Sequence, residues 1–232
     1  MNETAQRILH CLAAVNQERT RRRLDARLQA GVDAIKAFQH ARFTRTYADL
    51  LSNPSYASAA LFFLNELYGP YDFSERDRQF ERVVPALVRV FSNDIVQTVQ
   101  LLSELHQLSE VFDSKMASQI GSSEVTEANY AAAWRAVGES NLRSRQIDLT
   151  LAIGHSLDRY TRRPLMRHTL RAMRRPAELA GLASLQRFLE SGFDTFKELP
   201  SAQYFLDTVS IRERRLAAAL FAGAVSTELH IR

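Results

Sequence analysis

The residues best suited to binding chemistry in this chain are four arginines at helical spacing. They follow one another at intervals of four, four and three residues, which places them along one face of a helix. They are Arg163, Arg167, Arg171 and Arg174. Guanidinium groups bind carboxylates and phosphates through paired N–H donors. The pattern therefore predicts a face that binds an anionic partner, and an acidic protein is the partner we favour.

A solvated face is the alternative for these arginines. There they would pair with acids of the chain itself, such as Asp158 and Glu178. An anionic lipid surface would also suit them. A nucleic-acid backbone is a further alternative, because the chain carries a net charge of +4, but no recognisable helix-turn-helix supports it. Nucleic acid is therefore the less favoured partner.

Among the histidines, His106 is the one whose position best suits ligand binding or catalysis. It borders the apolar stripe that contains Leu102 and Leu105. An imidazole that faces a cavity can ligate haem iron or act as a base, whereas at the edge of a core it bonds a carbonyl or carboxylate. The alternative to a binding face is therefore a pocket for a small molecule or cofactor, in a ligand-binding protein or an enzyme. Its expected lining is Tyr68, Asp72, Arg76, His106, Trp134 and Tyr160.

Motifs that reveal catalysis or metal binding by their spacing are absent from the sequence. None of the six histidines follows a glutamate by three residues, so a di-iron Glu-x-x-His pattern is excluded. Phosphate-binding glycine loops and the G-x-S-x-G motif are absent too. A single cysteine, Cys11, excludes an internal disulfide and a multi-cysteine zinc site. We therefore predict no metal and no cofactor, with haem as the alternative, and favour a non-enzymatic protein.

These residues must be positioned by helices. With 8 glycines and 6 prolines among 232 residues, of which 46% are apolar, the composition favours helices over a many-stranded fold. We predict one all-α domain over residues 1–232, a multi-helix bundle of eight or nine helices. Thr20 is expected to cap the second helix. A hinge is expected near 119–125 and a flexible tail over 224–232.

A central helical hairpin over residues 61–91 is expected to organise this bundle. Its first helix is apolar nearly all round, which predicts burial. Gly69 and Pro70 end that helix, and Ser74 caps the second, with Asp77 as the acid of a capping box. The second helix is expected to pack back on the first.

Two motifs carry a resemblance to a known group of proteins. FFLNELYGPYDFSERD follows the pattern FFLxxLYGPxDFxxRD, and LAGLASLQRFLESGFDTF follows LAGLxxLQxFLExGFxxF. With the later TVSIRE, the chain from about Ile35 to Leu220 resembles an uncharacterised family of helical proteobacterial proteins. The resemblance implies a helical bacterial protein and supplies no activity or catalytic residue.

The cellular compartment and the oligomeric state are predicted from composition and from general properties of helical bundles. No run of apolar residues is long enough to span a membrane, and the first residues do not form a secretory signal. A single cysteine fits a reducing compartment, so a cytoplasmic location is expected. Helical bundles with exposed stripes commonly dimerise, and we expect a homodimer.

Overall fold

Every regular element of the described structure is a helix. The structure, a computed structural model, describes residues 3–67, 73–121 and 124–223. A π-helical turn, Phe63–Leu67, follows α4. The α-helices are α1 (Glu3–Leu24), α2 (Ala26–Thr46), α3 (Ala48–Ser52), α4 (Ala57–Phe62), α5 (Ser74–Val90), α6 (Asn93–Ile120), α7 (Glu127–Val137), α8 (Ser140–Thr161), α9 (Met166–Ala172), α10 (Arg174–Leu179), α11 (Ala183–Glu198) and α12 (Ala202–Ala222).

The predicted all-α single-domain class is confirmed, but the helix count is higher than expected. The described residues form twelve α-helical segments rather than eight or nine, mainly because α3, α9 and α10 are short helices of 5, 7 and 6 residues. The second helix begins at Ala26 and not at Thr20. Its cap is Asp25, whose Oδ1 accepts hydrogen bonds from the backbone N–H groups of Arg27 at 3.0 Å and Leu28 at 3.1 Å, which satisfies two free donors of the first turn.

The 28-residue helix α6 is the centre of the bundle. Helices α1, α2, α7 and α8 all pack against it. Its buried side chains include Leu105, Phe112 and Met116. Because these apolar side chains lie on different turns of α6, they pack against different neighbouring helices. On the far side of α8, helix α12 completes the core. The fold is thus a bundle around α6.

The predicted central hairpin needs correction. Helix α5 packs mainly on α1 and α11, while α4 packs on α3 and α11. The described parts of the two arms meet at an ion pair, with Arg76 Nη1 3.1 Å from Glu66 Oε2, while the amphipathic helix α11 packs against both. Phe62 of α4 lies against Phe188 of α11, with ring centroids 5.8 Å apart. Helix α5 begins at Ser74, so its cap position is Phe73.

Some expectations fall on residues that are not described. Residues 122–123 of the expected hinge and the whole expected tail, 224–232, lie outside the described residues, as do Tyr68, Gly69, Pro70 and Asp72. Across the described ranges, no helix combines the length and the apolar character needed to cross a bilayer.

Candidate functional site

The arginine segment, residues 159–179, is the most basic stretch of the chain. Seven arginines and no acidic residue lie between positions 159 and 177. They are Arg159, Arg162, Arg163, Arg167, Arg171, Arg174 and Arg175. The segment runs from the end of α8 through α9 and α10.

The four predicted arginines do not share one continuous helix. Arg163 precedes α9, Arg167 and Arg171 lie in α9, and Arg174 begins α10. The helix breaks at Met173, which caps the end of α9. A physical reason is Pro176, because its nitrogen carries no hydrogen to bond the carbonyl one turn earlier. The predicted single helical face is therefore replaced by two short helices.

Three of these arginines pair with acids from other helices. Arg163 Nη2 lies 2.8 Å from Asp94 Oδ2 in α6. Arg167 Nε lies 3.0 Å from Asp194 Oδ1 in α11, and Arg174 contacts both carboxylate oxygens of Glu190 in α11. These acids differ from the two that the sequence pattern suggested.

Asp158 instead binds Arg162 in the same helix, with Nη2 3.0 Å from Oδ1. Arg159, Arg171 and Arg175 are exposed and form no ion pair with any described residue. Arg159 donates a hydrogen bond to Ser156 Oγ at 3.0 Å, so Arg171 and Arg175 are the two that remain available. The segment therefore presents free positive charge in addition to its internal pairs.

Exposed apolar side chains accompany this charge. Helix α9 buries none of its residues, and α10 buries only Ala177. Leu165 is 75% exposed and Leu179 84% exposed, and Met173 is exposed between them. A surface that combines arginine with exposed apolar groups is typical of protein interfaces.

A small depression lies beside the described part of the segment. The depression beside it holds about 10 Å³, roughly the space of one water molecule. It is lined by Arg167, Leu170, Arg171, Glu190, Phe193 and Asp194. The geometry therefore suits contact with a surface and not enclosure of a ligand.

His106 is part of an ionic contact between helices. Its Nε2 lies 2.7 Å from Asp77 Oδ2 in α5, and Arg19 Nη2 of α1 lies 2.7 Å from the same oxygen. Burial opposes ionisation of Asp77, but the hydrogen bond from His106 and the charges of His106, Arg19 and Arg76 outweigh it and lower its pKa. The surroundings of His106 match the core-edge alternative.

One helical turn further along α6, Glu110 joins the same network. It forms ion pairs with Arg22 of α1 and with Lys36 of α2, whose Nζ lies 2.8 Å from Oε1. Burial raises the pKa of Glu110, yet the charges of Lys36, Arg22 and His106 hold it at about 2. The buried ionic network, defined as Arg19, Arg22, Lys36, Asp77, His106 and Glu110, thus connects α1, α2, α5 and α6.

Sequence reasoning missed Glu110, although a signal was present. His106, Glu110 and Asp113 are spaced by four and three residues, so three titratable groups share one face of α6. Among the described residues, no group of three histidine, cysteine, aspartate or glutamate side chains is placed to hold a metal ion. The network is therefore a set of ion pairs.

The remaining pocket candidates lie apart from one another. Arg76 lies between the rings of Phe73 and Phe188, with its Cζ 4.0 and 4.4 Å from the centroids. Tyr160 donates a hydrogen bond to the carbonyl of Asp94 at 2.8 Å, at the start of α6. Trp134 lies in α7 against Arg143. His106 lies in the middle of α6, Tyr160 contacts the start of α6 at Asp94, and Trp134 packs against the cluster that contains Met116 near its end.

Comparisons place the chain in a family. No curated protein and no solved structure matches it. A family model described as a domain of unknown function, DUF8198, matches residues 18–227, which agrees with the resemblance to an uncharacterised family. The match covers most of the chain and includes the arginine segment and the buried ionic network. The chain therefore belongs to the DUF8198 family.

Proposed function

We propose that this chain is a non-enzymatic protein-interaction module whose arginine segment docks on an acidic protein surface. One observation carries the proposal: the arginine segment, with seven arginines and no acid before Glu178, exposes the apolar side chains Leu165, Met173 and Leu179. Burying exposed apolar groups supplies a driving force for association. The free charges of Arg171 and Arg175 select an acidic partner.

The pairing of the other arginines favours a protein over a nucleic acid. Arg163, Arg167 and Arg174 already contact carboxylates of the chain, so they are not free to neutralise a row of phosphates. Binding to a nucleic acid uses many free cations and depends steeply on salt. A protein surface needs fewer charges and uses the apolar groups as well.

The expected homodimer remains a prediction. A second copy presents the same basic segment, and two such segments repel each other. We therefore expect any dimer interface to lie elsewhere on the bundle, leaving the arginine segment for the partner.

Charge reversal at the two unpaired arginines tests the proposal. Wild-type protein serves as bait in the lysate of its own host, and each captured protein is purified and its binding is measured directly. The variant Arg171→Glu/Arg175→Glu should bind the true partner about tenfold more weakly or worse. Neither arginine has an ion pair to lose, but Arg171 lies beside Glu190 and Asp194. The variant should therefore keep the wild-type circular dichroism and melt only slightly lower.

The matched control is Arg27→Glu/Arg78→Glu, which reverses two exposed arginines of α2 and α5 outside the segment. It should retain wild-type affinity. Equal binding by wild type and both variants would rule the segment out as the docking surface. Capture that disappears on nuclease treatment would point to nucleic acid instead.

A further inference from the structure

Arg143 is a buried arginine that lies outside both the arginine segment and the buried ionic network. It lies in the first turns of α8 and is 4% exposed. Its Cζ lies 3.7 Å from the centroid of Phe112 and 3.8 Å from that of Trp134. The guanidinium is thus held between two rings, in a cation–π arrangement that fixes its plane.

Three hydrogen-bond donors at this place have no partner among the described residues. They are Nε and Nη2 of Arg143 and Nε1 of Trp134, and all three atoms are buried. Nε–H and Nη2–H lie on the same edge of a guanidinium, where they form the fork that pairs with two oxygens. Because buried donors are almost always satisfied in proteins, three adjacent exceptions point to a ligand.

The charge of Arg143 also lacks a counter-ion among the described residues. Asp113 and Glu139 act on it from a distance, but neither forms an ion pair with it. Glu139 is held by Lys115, with Nζ 2.6 Å from its Oε1. Asp113 accepts a hydrogen bond from Gln39 at 3.1 Å, and burial raises its pKa.

Burial lowers the pKa of Arg143 to about 10, so the side chain stays protonated at neutral pH. A buried cation normally needs a charged partner. The two rings compensate only part of this requirement.

We propose that Arg143 and Trp134 form a binding site for one small carboxylate. The Nε/Nη2 edge pairs with the two carboxylate oxygens, and the indole N–H supplies a third donor. A carboxylate fits better than a phosphate, because one cation and three donors match a single negative charge on two oxygens. Because the three donors are buried, the half-buried side chain of Trp134 must move aside for the ligand to reach them.

Trp134 makes this proposal directly measurable, since it is the single tryptophan of the chain. Its fluorescence should change saturably when acetate or benzoate is added at constant ionic strength, with chloride as the control salt. Arg143→Met should abolish the saturable change. Arg143→Lys keeps the charge but loses the fork, and should bind about tenfold more weakly.

The result that would overturn the proposal is equally direct. A wild-type signal that does not saturate, or one that persists unchanged in Arg143→Met, shows that these donors bind no carboxylate. Saturation by inorganic phosphate but by neither carboxylate would overturn the ligand class. If Arg143→Met does not fold, Trp134→Phe is titrated by calorimetry, and unchanged affinity there counts against the site. The outcome is independent of partner binding by the arginine segment.

Discussion

Asp77 and His106 are 29 residues apart in sequence, yet His106 Nε2 lies 2.7 Å from Asp77 Oδ2. Asp77 is the last residue of the FFLxxLYGPxDFxxRD motif. The contact ties α5, whose first turn forms the end of the motif, to the central helix α6, and Arg19 brings α1 to the same oxygen. The acid end of the motif therefore acts as a connection between three helices.

The buried ionic network should make the protein sensitive to acid. The pKa of Glu110 is about 2 in the folded chain against an ordinary value of 4.5, so the unfolded chain binds a proton that the folded chain releases. The stabilisation by Glu110 is therefore complete above pH 4.5 and declines as the pH falls towards 2. Glu110 contributes about 3 kcal/mol to the free energy of unfolding. The lowered pKa of Asp77 makes stability depend on pH in the same direction. Urea denaturation across this pH range measures it.

Glu110→Gln provides the test of that assignment. The amide cannot neutralise Arg22 and Lys36, so we expect the free energy of unfolding at pH 7 to fall by about 3–5 kcal/mol. Its decline between pH 4.5 and 2 should also become shallower. The matched control is Glu104→Gln, which lies on α6 like Glu110. It removes an exposed ion pair with Arg145 of α8 and should lower the free energy of unfolding by less than about 1 kcal/mol. Equal losses in the two variants would contradict the prediction.

A second buried pair joins α2 to α12. Arg42 Nη1 lies 2.5 Å from Glu213 Oε1, and the Tyr47 hydroxyl donates to the same oxygen at 2.9 Å. Glu213→Ala should lower the free energy of unfolding by about 3–5 kcal/mol, because it leaves the buried Arg42 charge without its partner. Equilibrium urea denaturation measures the change.

The double variant Arg42→Met/Glu213→Leu separates lost charge pairing from lost packing. Apolar replacement of both partners should recover most of the stability that Glu213→Ala loses. The exposed pair of Asp148 and Arg214 serves as the control, and Asp148→Ala should change stability by less than about 1 kcal/mol. A double variant no more stable than Glu213→Ala would show that packing governs this site.

Helices α8 and α12 cross where Gly154 allows Leu206 to approach closely. A Cβ atom on Gly154 would lie 2.4 Å from Leu206 Cδ2, and Leu206 is fully buried. Gly154→Ala should therefore destabilise the protein by about 1–3 kcal/mol, even though alanine favours a helix by up to about 1 kcal/mol. In a Leu206→Ala background the clash is gone, so Gly154→Ala should stabilise. Destabilisation in both backgrounds would refute the clash.

Several features could be read from the sequence because they depend on local chemistry. Scarce glycine and proline, with apolar residues at helical spacing, correctly predicted an all-α fold, since amphipathic periodicity specifies a buried helix face. The basic character of the arginine segment was also evident. Its break into α9 and α10 was missed, although Pro176 marks it.

The tertiary structure alone decided which residues meet. Periodicity tells which face of a helix is buried but not which helix covers it, so only the structure shows that α11 packs against both α4 and α5. Arg42 and Glu213 are 171 residues apart, and no local pattern relates them. Whether a charged side chain is buried, and which residue pairs with it, depends on the tertiary packing that removes it from water and places its partner beside it. For the same physical reason, the unpaired donors of Arg143 and Trp134 emerged only from the folded chain.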